Sequence, residues 1–353
     1  MRIILCGGGT LGSVTPLLAV WDVLKRQVPG VEGIFIGTRG GIESQAVIPA
    51  SLAYRQIFSG KWRRYLSIRN IFAPFEVMIG FVQAFIFFLS YRPQVILAAG
   101  GFVGVPCIWA GWLIGAKIII HQPDFRPGLS LAFTHAFAHS VTVGFKETAK
   151  RIPNGKAKYV GNPVRIISHA PAASPVSVFP DRPDRPYVVV VGGGTGSAYL
   201  NTLVTSPSFS MHDANVVHVT GKGKEGNHSP YPGYKQVAFL EPSAMLSLIE
   251  HAAVVISRAG ASALAEYAIF GKPTVLIPLP ASPQVDNAEF FSSRRAAICI
   301  QQDHVTAEGL RTLIENLLHN TQQREQLSAN IRLLAEPESA QRIASIVISI
   351  LHS

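Results

Sequence analysis

Residues 3–20 read "IILCGGGTLGSVTPLLAV": an unbroken apolar run stops on three glycines and resumes as an apolar helix behind Ser13, Thr15 and Pro16. The same order returns at residues 188–200 as "VVVVGGGTGSAYL". Elsewhere, short β-rich runs bounded by turn residues alternate with helical periodicity, the pattern of parallel sheets with crossover helices. It predicts strands at 2–6, 33–36, 95–98, 117–121 and 140–143, then at 187–191, 215–219, 254–257, 274–277 and 297–300. Periodicity fails in "APAASPVSVFPDRPDRP", residues 170–186, where Pro, Ala, Ser and Asp crowd it out. The expectation is two similar α/β domains facing a cleft: 1–165, a linker over 166–186, and 187–335. An apolar helix within 336–353 packs back on the first domain.

A strand that breaks on glycines and restarts as a helix brings backbone N–H groups up to an anion, or merely makes a tight turn. Neither "GGGTLGS" nor its repeat has the dinucleotide spacing, and no P-loop lysine follows. Charge narrows the choice. Residues 1–165 carry 18 Lys and Arg against 6 Asp and Glu, whereas the remainder is slightly acidic, within a total of +10. The first half is built to meet nucleic acid, an anionic membrane or a phosphorylated substrate. No recognised nucleic-acid motif accompanies the charge, so nucleic acid is not expected.

Cys6, Cys107 and Cys299 are widely spaced and odd in number, which suggests neither a disulfide framework nor a zinc site and fits a reducing cytoplasm. The start of the chain reads too short for a signal peptide. The apolar stretch 71–89 contains Pro74, Glu76, Gly80 and Gln83, and it reads as non-spanning.

Residues 254–280, "VVISRAGASALAEYAIFGKPTVLIPLP", hold the strongest local signal. A strand ends at Ser257, Gly260 turns the chain, and a helix begins near Ser262 and stops at Gly271, before Pro273. Its N-terminus suits a diphosphate. Glu266 sits on the side of Ser262, one turn on, where a carboxylate can accept hydrogen bonds from ribose hydroxyls. Its neighbours are otherwise apolar or Tyr, unlike those of a solvated helix carboxylate.

In order along the chain, "GGGTLGSVTPLLA", "GTRGGIES", "AAGGFVGVP", "HQPDFRPGLS", "GNPVR", "VVGGGTGS", "TGKGK", "SRAGASALAE", "FGKPTVLIP" and "PQVDNA" resemble the MurG family. That resemblance implies a GT-B fold of two Rossmann-like domains. It also implies an inverting enzyme at the cytoplasmic face of the cell membrane, transferring N-acetylglucosamine from UDP-GlcNAc to lipid I to make lipid II for peptidoglycan. It places Thr10, Leu11 and Gly12 on the first turn as donor-binding residues, and Arg165, Gly194 and Thr195 at the donor diphosphate. Leu240 and Met245 fall beside the uracil, Ala261, Ser262, Ala263, Leu264, Ala265 and Glu266 under the diphosphate and ribose, and Gln284 at the donor sugar. Phe102 falls on the acceptor side.

Two departures matter. Leu11 and Ser13 replace a glycine and the histidine that is the family's usual candidate base, and a serine is no base at neutral pH without a partner. The family's His-Glu-Gln-Asn is here His121-Gln122-Pro123-Asp124. The catalytic candidates are therefore Asp124 and Ser13, with Asp124 the general base and also a donor-side candidate. The competing assignment is a structural ion pair of Asp124 with Arg126 or Arg165. With no Asp-x-Asp in the chain, no metal or other cofactor is expected. The leaving diphosphate then relies on backbone N–H groups, helix dipoles and Arg165.

"KWRR", Lys61, Trp62, Arg63 and Arg64, precedes the Phe-rich stretch and suits an enzyme docked peripherally on an anionic membrane to reach a polyprenyl-linked acceptor. Two alternatives remain open: the same scaffold acting on another glycolipid such as diacylglycerol, or a sugar-nucleotide-binding relative without catalysis.

Overall fold

The computed structural model describes residues 1–60, 69–165, 182–226 and 231–352. The chain divides into two compact units, one of Met1–Arg165 with Glu336–Ser353 and one of Ile166–Ala335. Residues 61–64 and most of the expected linker lie outside the described residues.

In the first unit β1 (Arg2–Cys6), α1 (Thr15–Gln27), β2 (Glu32–Thr38), α2 (Ser44–Val47) and β3 (Ala53–Ile57) come first. Then follow α3 (Arg69–Tyr91), β4 (Val95–Ala98), α4 (Gly104–Leu113), β5 (Lys117–Gln122), α5 (Leu129–Thr134), β6 (Ser140–Val143), α6 (Lys146–Ala149) and β7 (Ala157–Tyr159). The strands form one sheet in the order β3-β2-β1-β4-β5-β6-β7, and every pair is parallel. Successive residues of each central strand serve opposite layers. Ile3, Leu5, Val95 and Leu97 face α1, while Ile4, Cys6, Ile96 and Ala98 face the layer of α3 and α4. Both faces are covered, which is why these strands read as continuous apolar runs rather than alternating ones.

The second unit contains β8 (Tyr187–Val191), α7 (Ala198–Thr205), β9 (Asn215–Val219), β10 (Tyr234–Val237), α8 (Pro242–His251), β11 (Val254–Ser257) and α9 (Ala261–Phe270). It continues through β12 (Thr274–Leu276), α10 (Pro283–Ser293), β13 (Ile298–Cys299), α11 (Ala307–His319) and α12 (Thr321–Arg332). Its parallel sheet has the order β10-β9-β8-β11-β12-β13. The last helix, α13 (Ser339–His352), returns to the first unit. Ala340, Ile343, Ala344 and Val347 recur on one helical face and pack into the core beside α1.

The strands missing from the sequence expectation are β3, β7 and β10, all sheet edges. Each mixes buried or half-buried with exposed side chains, and β7 has no fully buried residue, so the apolar run that marks a central strand is absent.

The apolar stretch of the first unit forms one helix straight through Pro74. Its polar residues do not shorten it: residues 71–91 are long and apolar enough to cross a membrane by length and composition. Ala73, Gly80, Ala84 and Phe88 form a buried face, and α3 packs on α4. The opposite face leaves Ile71, Phe72, Phe75, Met78, Ile79, Val82, Ile86 and Leu89 exposed.

Candidate active site

The second unit gathers its expected donor residues at the carboxyl ends of parallel strands, where open α/β sheets place ligands. Strand β8 runs into residues 192–197, with Gly194 and Thr195 exposed at the apex. Ser197 closes the turn by accepting the Leu200 N–H, capping α7. That hydroxyl also accepts from Nε and Nη2 of the buried Arg258 at 3.2 and 3.0 Å. The same guanidinium donates to the carbonyls of Ile277 and Pro278 and to Gln302 Oε1. One side chain thus ties together the ends of β8, β12 and β13. All these partners are neutral oxygens, so they leave its positive charge unneutralised beneath the turns.

Helix α9 starts at Ala261 behind Gly260, which offers no side-chain cap. The Leu264 N–H reaches the Gly260 carbonyl as the first bond of the helix, so the turn Ala261–Ala263 is the positive end of the α9 dipole. Leu264 points into the core, and Ala265 is inside the helix. Glu266, partly buried on this apolar helix, has its carboxyl pushed up to about 8 by desolvation. Leu240 is half-buried just before α8, and Met245 lies one turn into that helix. The Gln284 Oε1 accepts the Leu279 N–H at 3.0 Å, which folds the side chain over its own turn and leaves Nε2 to donate.

In the first unit, the glycine turn does not present bare N–H groups throughout. Gly9 N–H donates to Glu43 Oε1 at 2.7 Å, and the Ser13 and Val14 N–H groups return to Thr10 and Leu11 carbonyls. Ser13 is buried, its hydroxyl donating to the Thr10 and Gly8 carbonyls at 3.0 and 3.2 Å. That hydroxyl is spent on shaping the turn. Thr10 and Gly12 are exposed, Leu11 partly so. Phe102 is partly exposed just before α4.

Asp124 follows β5 in a loop strapped from two sides. Gln122 Nε2 donates to the Asp124 and Arg126 carbonyls, and Asn162 Nδ2 donates to the Pro123 carbonyl at 3.0 Å. Asn162 Oδ1 stands 3.0 Å from His121 Nε2, whose ring is buried and pushed down to about 4 by desolvation. Arg165 is bound through Nε to Asp22 at 2.6 Å. Among the described residues, no group of three or more His, Cys, Asp or Glu is arranged to hold a metal ion. Cys6, Cys107 and Cys299 are free thiols.

Sequence reading assigned nothing to Arg258, Asn162 or Glu43, although all three lie inside the motifs quoted above. Their signal was present in kind: a charged or amide residue embedded between glycines and apolar runs.

Two parallel-sheet units, each opening on a strand, a glycine turn and a helix, define a GT-B glycosyltransferase fold. The N-terminal domain of glycosyltransferase family 28 matches residues 3–143 and the C-terminal domain matches residues 187–343. The chain is 33% identical, over 98% of its own length and 98% of the relative's, to a UDP-N-acetylglucosamine–N-acetylmuramyl-(pentapeptide) pyrophosphoryl-undecaprenol N-acetylglucosamine transferase of Lachnospira eligens. A relative of the same name from Borrelia hermsii is 30% identical over 98% of this chain and 96% of its own. The crystal structure of Acinetobacter baumannii MurG superposes with a TM-score of 0.72, covering 99% of both chains at 24% identity. The chain belongs to the MurG family of glycosyltransferase family 28.

Proposed function

We propose that this enzyme transfers N-acetylglucosamine from UDP-GlcNAc to lipid I, forming lipid II for peptidoglycan. The observation that carries the reading is similarity over nearly the whole chain to transferases whose name states that donor and that acceptor. The second unit supplies the chemistry the donor needs. Uracil lies at Leu240 and Met245, the ribose hydroxyls donate to Glu266, and the diphosphate rests against the positive end of α9 with Gly194 and Thr195. Gln284 Nε2 donates to the sugar. Thr10, Leu11, Gly12 and Arg165 keep the donor roles that the family likeness assigns them.

The acceptor hydroxyl attacks the anomeric carbon on the face opposite UDP, so configuration inverts. Asp124 takes the hydroxyl proton, since Ser13 is spent on its turn and is too weak a base. Helix α9 and the unneutralised charge of Arg258 stabilise the departing diphosphate in place of a divalent metal.

The membrane holds the acceptor, and the reading places the enzyme peripherally on the anionic cytoplasmic face. The exposed apolar face of α3 supports this, because its other face is packed along its length against the first unit. Crossing a bilayer would strip that packing. Lying in the interface keeps it.

The test is transfer of labelled sugar from UDP-GlcNAc by the purified enzyme, with lipid I, diacylglycerol or no acceptor, each with and without EDTA. Lipid II formed in EDTA is the expected result. UDP release with diacylglycerol alone, or UDP-GlcNAc binding without release, overturns the reading.

A further inference from the structure

Glu43 is 0% exposed, and the two groups that donate to it are neutral. Oε1 accepts the Gly9 N–H at 2.7 Å and the Thr38 hydroxyl at 2.6 Å, while Oε2 is buried and accepts nothing. A buried carboxyl with one oxygen unsatisfied is a poor packing element, because an apolar side chain of that volume fills the same space without a desolvation cost. A group so placed calls for a use.

The surrounding glycines show how much of the first unit is arranged around it. A Cβ on Gly8 would overlap Oε1, and one on Gly41 would overlap Oε2. A Cβ on Gly101 would stand 2.6 Å from the Gly8 carbonyl oxygen. The glycines of "GGGTLGS", "GTRGGIES" and "AAGGFVGVP", far apart in sequence, make room for one carboxyl and the turn it holds. Gly9 differs from them. It has φ 85° and is exposed, and a Cβ there would meet nothing within 4 Å. The Ser13 hydroxyl ties the carbonyls on either side of the apex, and the Glu43 hydrogen bond holds the Gly9 N–H itself. Thr10, Leu11 and Gly12 follow directly from that apex.

We infer that Glu43 is a positioning residue for sugar transfer: its carboxyl clamps Gly9 and so sets the first glycine turn in its working shape. The inference rests on the transfer reading above. It concerns turnover rather than capture of UDP, because the uracil and ribose contacts proposed for the donor lie in the other unit and the donor role of Thr10, Leu11 and Gly12 is taken to be toward the sugar, which UDP lacks. A turn displaced by about an ångström costs on the order of 10²-fold in rate.

The experiment compares Glu43→Ala, Glu43→Gln, Gly41→Ala and the Glu43→Ala/Gly41→Ala double variant in the full chain. Thermal melts establish that each is folded. Glu43→Ala and Gly41→Ala should lower kcat about 10²-fold with UDP affinity unchanged. Glu43→Gln keeps an oxygen for both donors and should stay within a few-fold of wild type. The double variant should be no worse than Glu43→Ala, since the overlap with the carboxyl is gone and the Thr38 hydroxyl, which a Cβ at Gly41 also meets, is no longer held in place by Glu43. In parallel, amide hydrogen exchange of Gly9 should quicken in Glu43→Ala and not in Glu43→Gln, while Gly193 stays as in wild type. Wild-type kcat in Glu43→Ala, UDP affinity falling in step with kcat, or unchanged Gly9 exchange overturns the inference. An inactive wild-type enzyme defeats the transfer reading instead, and the Gly9 exchange arm then decides alone whether Glu43 holds the turn.

Discussion

His121 Nε2 stands 3.0 Å from Asn162 Oδ1 in the first unit, and His218 Nε2 stands 3.0 Å from Asn201 Oδ1 in the second. In each pair the amide nitrogen is engaged elsewhere, Asn162 with the Pro123 carbonyl and Asn201 with those of Thr220 and Lys224. The amide oxygen therefore faces the ring and takes its Nε2 proton. The other ring nitrogen accepts, from Thr142 in one case and Tyr234 in the other. That arrangement suits a neutral ring in both places.

Burial pushes both histidines down to about 4. An unfolded histidine titrates near 6.5, so between pH 6.5 and 4 the unfolded chain binds protons that the folded chain refuses. Their contribution to stability is fully present above pH 6.5 and is lost as the pH falls toward 4, by up to about 1.4 kcal/mol per pH unit for each ring. NMR titration should find both imidazoles neutral at pH 5.5. Protonation of either ring near pH 6.5 refutes the assignment.

Asp124→Asn keeps the shape of the loop and removes the base. Transfer should fall by roughly 10²–10⁴-fold while UDP affinity holds. Transfer at the wild-type rate would send the proton elsewhere. Asn162→Ala removes the strap on Pro123 and should lower kcat with UDP affinity intact, marking Asn162 as a positioning residue for the same loop.

Glu266 makes a prediction in pH. Its carboxyl sits near 8 without ligand, and ribose hydroxyls donate to the charged form. UDP-GlcNAc affinity should therefore rise from pH 6.5 to about 8 and level off above it, and calorimetry of Glu266→Gln should show no such rise. Glu266→Ala should weaken binding by roughly 1.5–3 kcal/mol. Without ligand the stability linkage has the opposite sense. The folded chain keeps a proton that the unfolded chain releases near 4.5, so this group's contribution falls as the pH climbs toward 8.

Membrane docking through α3 predicts that Phe75→Ser with Ile79→Ser reduces sedimentation with anionic vesicles. Both side chains are exposed, at 67% and 48%, so the melting temperature should not drop. Binding by the wild type should weaken as salt rises, because screening shortens the reach of basic residues. Replacing Lys61, Arg63 and Arg64 by Ala should remove most of that salt dependence. Retention through high salt and alkaline extraction would indicate a spanning helix.

The central strands and both glycine turns were legible in the sequence because their causes are local. A strand covered on both faces has to be apolar at every position, as Ile3–Cys6 and Val188–Val191 are, and a strand-to-helix turn needs glycine within a few residues. Helix α9, bounded by Gly260 and Gly271, carried its start, its stop and its one carboxylate in a single window. The edge strands β3, β7 and β10 were not legible, since half-solvated residues gain strand structure only from the neighbour that offers hydrogen bonds. Nor was Glu43. In sequence it is an acid among glycines, as in any solvated loop. Only the folding of β1, β2 and the segment before α4 together, bringing Gly8 and Gly41 against it and Gly101 against Gly8, turns that acid into a buried clamp on Gly9. Arg258 followed the same rule, because its partners at Ser197, Ile277, Pro278 and Gln302 are brought together by sheet order and not by spacing along the chain.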